Sequence, residues 1–162
     1  MRKSHKIILA SIIGGSILAA SAGVYAQQAP AKPEALIKWR QSVFQVIGWT
    51  SGRVKLALDA ATYDKEEVVK AATALAAVAN SGIGALFASG TEQGKGWHDT
   101  TAKAELFVPG SKAGEYAASL ARETNELVKV ANSSSDVAAV KAQFGKVTAT
   151  CKTCHDDFRR KD

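Results

Sequence analysis

Methionine is all but missing from this 162-residue chain. Met1 is the only one, so a protein processed at its N-terminus has no thioether side chain to offer a metal. Cysteine is nearly as scarce: Cys151 and Cys154 are the only pair, which excludes a disulfide-stapled scaffold and a four-thiolate zinc site. Prolines stand only at positions 30, 33 and 109, alanine is abundant, and no stretch keeps the strict alternation that a half-buried strand requires. Internal repeats and low-complexity tracts are absent too, which leaves an all-α domain.

What is present begins with a leader. Arg2, Lys3, His5 and Lys6 precede an uncharged, mostly apolar run from Ile7 to Ala31, and Val24-Tyr25-Ala26 puts small residues at the two positions a signal peptidase reads. Residues 1–26 are therefore read as a secretory signal peptide cleaved after Ala26, and residues 27–162 as the mature domain. The run is also long enough to span a bilayer, so an uncleaved anchor is the alternative; Gly14, Gly15 and the serines favour removal. Loss of Arg2, Lys3 and Lys6 lowers the formal charge from +6 to +3. The basic balance then gives no argument for nucleic acid, and nothing else in the chain does.

Four helices are expected. The first begins at Pro33, tolerated in an opening turn, and runs to about Leu58 with Leu36, Val43, Ile47, Val54 and Leu58 at helical spacing. Asp64 with Glu67 resembles a capping box opening a second helix, whose stripe of Val68, Ala72, Leu75, Ala79, Ile83 and Leu86 carries it to Ser89-Gly90. A long Gly- and Thr-rich connection follows to Pro109-Gly110, of a length that is usually functional or mobile. Ser111 is placed to cap a third helix with Tyr116, Leu120, Leu127 and Ala131 inward. After the turn Asn132 to Ser135, a fourth helix starts at about Asp136 with Val137, Val140, Phe144, Val147, Cys151, Cys154 and Phe158 in steps of three and four. The short turns imply antiparallel neighbours, hence an antiparallel four-helix bundle.

Cys151-Lys152-Thr153-Cys154-His155 ends that last helix. Two thiols three apart lie on nearly one helical face and can add to the two vinyl groups of one porphyrin, while the adjacent imidazole turns to the iron. Competing chemistries fit less well. Zinc would find only Cys151, Cys154, His155 and the remote His98; a thioredoxin-like pair expects a strand-to-helix turn; a disulfide between these positions would be strained. One covalent haem c per chain is the expected cofactor, with His155 as metal ligand. Since both cysteines fall in the inward stripe, the haem must lie within the bundle. Export and this attachment motif together point to the bacterial periplasm.

A C-terminal CxxCH helix on a four-helix bundle resembles cytochrome c′. The N-terminal helix reading Ala31-Lys32-Pro33-Glu34 and Lys38-Trp39-Arg40-Gln41-Ser42, the Gly90-Thr91-Glu92 turn, the Phe144-Gly145 pair and Arg159 extend the resemblance over the whole mature chain. The resemblance implies that His155 is the sole protein ligand of a five-coordinate, high-spin iron. It implies that Arg40 and Gln41 contact the haem propionates, with Lys95 a weaker candidate at the haem edge, and that Arg159 lines the proximal pocket. Phe44 takes the distal position over the iron that leucine usually holds in the family, or methionine in the low-spin cytochromes c-556. Phenylalanine has no lone pair for iron, and its rigid ring is expected to crowd that face.

The resemblance further implies binding of small diatomic gases, chiefly nitric oxide, with some electron-transfer capacity. In the family, nitric oxide weakens the trans iron–histidine bond and can finish bound on the proximal face. Carbon monoxide, which displaces histidine poorly, is expected to bind weakly here. The alternative is a low-spin, c-556-like electron carrier, which would need His98 or a lysine as sixth ligand. No catalytic residue is expected, because no distal acid or base is evident. Family members are commonly homodimers through their first two helices, and Gly48, Ser51 and Gly52 would allow close helix approach. The sequence names no redox partner.

Overall fold

The computed structural model describes residues 31–161; the signal-peptide reading of residues 1–26 lies outside the described residues. Helix α1 spans Pro33–Asp59, α2 Lys65–Ala79, α3 Ala113–Ser133 and α4 Val137–Phe158. Among the described residues there is no strand, only two isolated bridges, Lys95 with Asp99 and Ala102 with Arg159. No helix among them is long and apolar enough to cross a membrane.

Local chemistry sets the helix ends. Pro33 opens α1, where its missing N–H loses nothing. The Asp64 carboxylate accepts from the Glu67 amide at 3.0 Å to cap α2, and the Asp136 carboxylate accepts from the Ala138 amide at 2.8 Å to cap α4. Ser111 falls one residue short of the cap expected of it: Lys112 holds the cap position of α3 without a side-chain bond, and the Ser111 hydroxyl accepts from the Ala113 amide at 3.2 Å. The brief connections Ala60–Asp64 and Ser134–Asp136 fold each following helix back antiparallel.

The second helix is shorter than its apolar stripe suggested. It stops at Ala79, and Ile83–Leu86 forms a separate 3₁₀ turn. Between them Gly82 adopts φ +81°, a left-handed conformation that breaks the α-helical ladder and that glycine reaches without strain. Ile83 is buried nonetheless, so the stripe identified a core residue while misplacing its backbone.

The core is assembled from one face of each helix. Ile47, Val54 and Leu58 of α1, Val68, Ala72 and Leu75 of α2, Leu120, Leu127 and Ala131 of α3, and Val140 and Val147 of α4 form one buried cluster. Packing is extensive between α1 and α2, α2 and α3, and α3 and α4, whereas α1 meets α4 only sparsely. Of the seams between neighbouring helices, that one is the least closely packed.

Candidate functional site

The α1–α4 seam holds the chemistry. Positions 151, 154 and 155 share an arc of roughly 100° on α4. Cys151 packs against the core cluster and Cys154 is half-buried. Both thiols are free. Burial is the larger cause that pushes each above the usual thiol pKa, and the charges of Cys151 and Asp157 add to it at Cys154. They are thus held as neutral thiols.

His155 is accessible to solvent, yet burial is the first cause that holds its imidazole below the usual histidine pKa, followed by the positive charge of Arg159, with Asp156 opposing. Among the described residues no hydrogen bond engages its ring. Across the seam the Phe44 ring centroid stands 6.5 Å from the imidazole centroid, the planes inclined by 62°. Phe87 lies 6.1 Å from Phe44 and Phe107 6.3 Å from Phe87, so the Phe44 side of the seam is aromatic.

The donor set fits a thioether-linked iron porphyrin: two uncharged thiols one turn apart, an unpartnered imidazole beside them, and an aromatic wall opposite where two helices are loosely packed. It does not fit a metal ion held by protein alone. Among the described residues, no group of three or more His, Cys, Asp or Glu is gathered for one.

Arg40 turns out to be a buried clamp, only 4% exposed. Its Nη1 donates to Leu86 O at 3.1 Å and Thr91 Oγ1 at 2.9 Å; its Nη2 donates to Thr91 O at 3.0 Å and Thr100 Oγ1 at 2.8 Å. The four Nη hydrogens are thereby engaged, leaving Nε–H as the donor still free for a carboxylate. The guanidinium also lies over Phe87 and Phe107, at 4.8 and 5.8 Å from the ring centroids. Burial lowers its pKa, with Glu92 opposing, but an arginine remains charged.

Gln41 serves the same connection. Its Oε1 accepts from the Trp97 amide at 2.7 Å and its Nε2 donates to His98 O at 2.8 Å. Trp97 Nε1 donates to Ser42 Oγ at 2.8 Å, and Lys38 Nζ sits 3.9 Å over the indole. His98 Nδ1 lies 2.8 Å from Asp99 O, which ties the ring to the loop backbone. Lys95 is exposed, its backbone paired with Asp99, and it enters none of the contacts that join Phe44, Phe87, Arg40 and His155.

Phe44, Cys151, Cys154, His155 and Arg159 are therefore brought together, while Arg40 and Gln41 anchor the long connection to α1. Sequence reasoning gave no role to Phe87, Phe107 or Thr100, and named Thr91 only within the Gly90-Thr91-Glu92 turn. Phe87 and Phe107 lie at the ends of 3₁₀ turns outside any long periodic pattern, and the threonines sit in a connection with no period at all. An unexplained inward arginine on α1 was the one available signal that buried acceptors had to exist somewhere.

The family model described as Cytochrome C' matches residues 35–159. The cytochrome c' of Rhodocyclus tenuis is 59% identical over 133 residues, 82% of this chain and 99% of the relative. Among solved structures, a cytochrome c' with an unusual ligand-controlled dimer dissociation is 38% identical at TM-score 0.76, covering 82% of this chain and all of that one. Cytochrome c prime of Alcaligenes xylosoxidans has been solved as a ferrous variant with bound nitric oxide, 27% identical at TM-score 0.71 over 82% of this chain and 98% of its own. It has also been solved as a variant with carbon monoxide bound, 28% identical at TM-score 0.70 over 81% and 98%.

Proposed function

The chain belongs to the cytochrome c′ family, and from that membership we propose a periplasmic gas-binding protein with one covalent haem c on Cys151 and Cys154 and His155 as the only protein ligand. Held there, a haem iron would supply a binding position for a small diatomic molecule and a one-electron redox couple. The observation that carries the reading is the pairing of an unpartnered His155 with Phe44 at 6.5 Å across the loosely packed seam. Phe44 offers no lone pair and Phe87 stands behind it, with the Arg40 guanidinium beyond, over Phe87; the face that Phe44 turns to His155 is aromatic and disfavours polar ligands and polarised dioxygen. Nitric oxide is the favoured ligand. Arg159 supplies a cation on the side of His155, where a ligand replacing the imidazole would be met.

The role is binding and one-electron exchange rather than turnover. A catalytic cycle would require an acid or base beside Phe44; the rings that meet it are those of Phe87 and of His155, the latter read here as the ligand of the iron. A c-556-like carrier would need another ligand, and the loop contacts of His98 with Gln41 and Asp99 speak for the five-coordinate reading.

We assign the assembly as a homodimer through α1 and α2. Trp39, Val46, Trp49 and Leu56 form an exposed stripe on α1, with Trp49 63% and Leu56 74% exposed. Alongside it runs an apolar groove of about 380 Å³ between Ser42, Val43 and Val46 of α1 and Ala77, Val78 and Ser81. An added Cβ at Gly52, which flanks Trp49 and Leu56 on the helix, would meet nothing within 4 Å in the chain, which leaves that edge of the stripe open for a second helix.

The deciding experiment is optical and spin-state spectroscopy of the purified protein, oxidised and reduced, with its intact mass. A high-spin ferric spectrum and a mass increased by one haem support the reading. A low-spin spectrum with a second coordinated side chain, or a polypeptide without haem, overturns it.

A further inference from the structure

One exposed tryptophan is ordinary, but a fixed one that continues a larger aromatic surface is not. Trp97, in the long connection, is 57% exposed although its position is held on α1 at several points. Its amide donates to Gln41 Oε1 at 2.7 Å, its Nε1 donates to Ser42 Oγ at 2.8 Å, and Lys38 Nζ sits 3.9 Å over the ring. The preceding residue, Gly96, approaches α1 so nearly that a Cβ there would stand 2.7 Å from the Lys38 backbone. A ring fixed in this way has little conformational freedom left to lose on association, which is what a binding anchor requires.

Ser42 is where this turn meets the exposed side of α1. Trp39, Ser42, Val46, Trp49, Arg53 and Leu56 follow one another in steps of three and four, so they share one face of the helix. Trp49 is braced as Trp97 is: Arg53 lies 5.1 Å from its ring centroid and donates from Nε to Glu67 Oε1 at 2.9 Å. The apolar groove shared with α2 takes Ser42, Val43 and Val46 on one flank of α1, and the Trp97 turn takes Lys38, Gln41 and Ser42 on the other. One surface thus crosses α2, α1 and the long connection.

Its extent and shape fit a second copy of this chain. The 17 steps from Trp39 to Leu56 rise about 26 Å on a helix about 10 Å wide, a footprint on the order of 300 Å². A stable specific interface takes about 800 Å² from each partner. The α1 stripe alone falls short of that, and the groove on one flank with the Trp97 turn on the other widens it. A twofold contact must also be complementary to itself, and this surface carries both a groove and exposed rings to fill one.

We infer that Trp97 is an interface residue of the homodimer: the turn 96–98, seated on α1, carries the contact between copies beyond the two helices into the long connection. This rests on the homodimer through α1 and α2 given above. Coupling between the two events is reciprocal, so a copy docked on Trp97 also holds the turn against α1.

The test is sedimentation of the haem-loaded protein over a concentration series, for the parent, Trp97→Ala and Trp97→Phe, with amide hydrogen exchange of Trp97 and His98 followed in the parent and in Trp49→Glu. Trp97→Ala is expected to raise the dimer dissociation constant at least about tenfold, with Trp97→Phe, which keeps an apolar ring, in between. In the parent the two amides are expected to exchange more slowly as concentration carries monomer into dimer, and in Trp49→Glu at one rate throughout. Should Trp97→Ala fail to fold, the exchange series decides. A parent that is monomeric at every concentration overturns the homodimer reading and the inference with it. A dimeric parent whose dissociation constant is unmoved by Trp97→Ala, or whose Trp97 amide exchanges at the same rate in monomer and dimer, overturns the inference alone and leaves the helical interface standing.

Discussion

Replacing Arg40 by alanine should be among the most damaging single changes in the chain. Its four hydrogen bonds end on Leu86 O, Thr91 Oγ1, Thr91 O and Thr100 Oγ1, and Thr91 and Thr100 are 0% and 4% exposed. The hydroxyls keep other partners, since Thr91 Oγ1 also donates to Ala88 O and Thr100 Oγ1 also accepts from Ala102 N. The two carbonyls lose a charged donor. An orphaned buried acceptor costs about 1–3 kcal/mol, a vacated side-chain volume adds to that, and relief of the guanidinium's own desolvation offsets part. The expected net loss is about 3 kcal/mol. Arg40→Met keeps the volume but orphans the same carbonyls, so it should lose roughly 1 kcal/mol less. The assay is guanidinium chloride unfolding of the haem-loaded protein, where the midpoint should fall with an unchanged slope. A loss below about 1 kcal/mol for Arg40→Ala would refute the argument that this network holds the long connection to α1.

Further expectations follow from other contacts. A Cβ at Gly96 would fall 2.5 Å from Gln41 Oε1 and 2.7 Å from the Lys38 backbone; Gly96→Ala should therefore lift the Trp97 turn off α1 and destabilise by about 1–3 kcal/mol, read as lost quenching or a shifted emission of Trp97. Phe44→Ala should open the distal face and raise carbon monoxide affinity at least about tenfold, measured by titration of the ferrous protein; unchanged affinity would remove the steric role of the ring. Trp49→Glu places a charge on the exposed α1 stripe and should convert dimer to monomer in sedimentation, whereas a parent protein already monomeric would sink the assembly assignment. The hydrogen bond from Gln143 holds the Glu123 carboxyl below the usual glutamate pKa, helped by Arg122. A folded-state pKa below the unfolded one gives stability that is present above the unfolded value, about 4.3, and is lost as pH falls through the lower folded value. Gln143→Leu should therefore flatten the acid limb of the stability profile, and an identical limb in both proteins would contradict this.

The relation between sequence and structure differs from element to element. The α4 stripe from Val137 to Phe158 was legible because a helix repeats every 3.6 residues and its buried face must be apolar, so the two cysteines could be placed inward before any coordinates. The second helix shows the limit of that reasoning. Its stripe continued through Ile83 and Leu86, but periodicity cannot register a left-handed glycine, and Gly82 ended the helix four residues earlier than Ile83 required. Arg40 and Gln41 were singled out by the resemblance as propionate contacts, whereas their partners within the chain lie 46 to 60 residues away in a connection with no pattern to read.

By itself, then, the sequence determined the all-α class and, from spacing along one helix, the two thiols and imidazole on a shared arc. Only the tertiary structure decided what faces what. Which helix pair stays loosely packed, how near the Phe44 ring stands to His155, and which buried acceptors a lone arginine satisfies all result from long-range chain closure, and contacts between residues far apart in sequence leave no local period behind them.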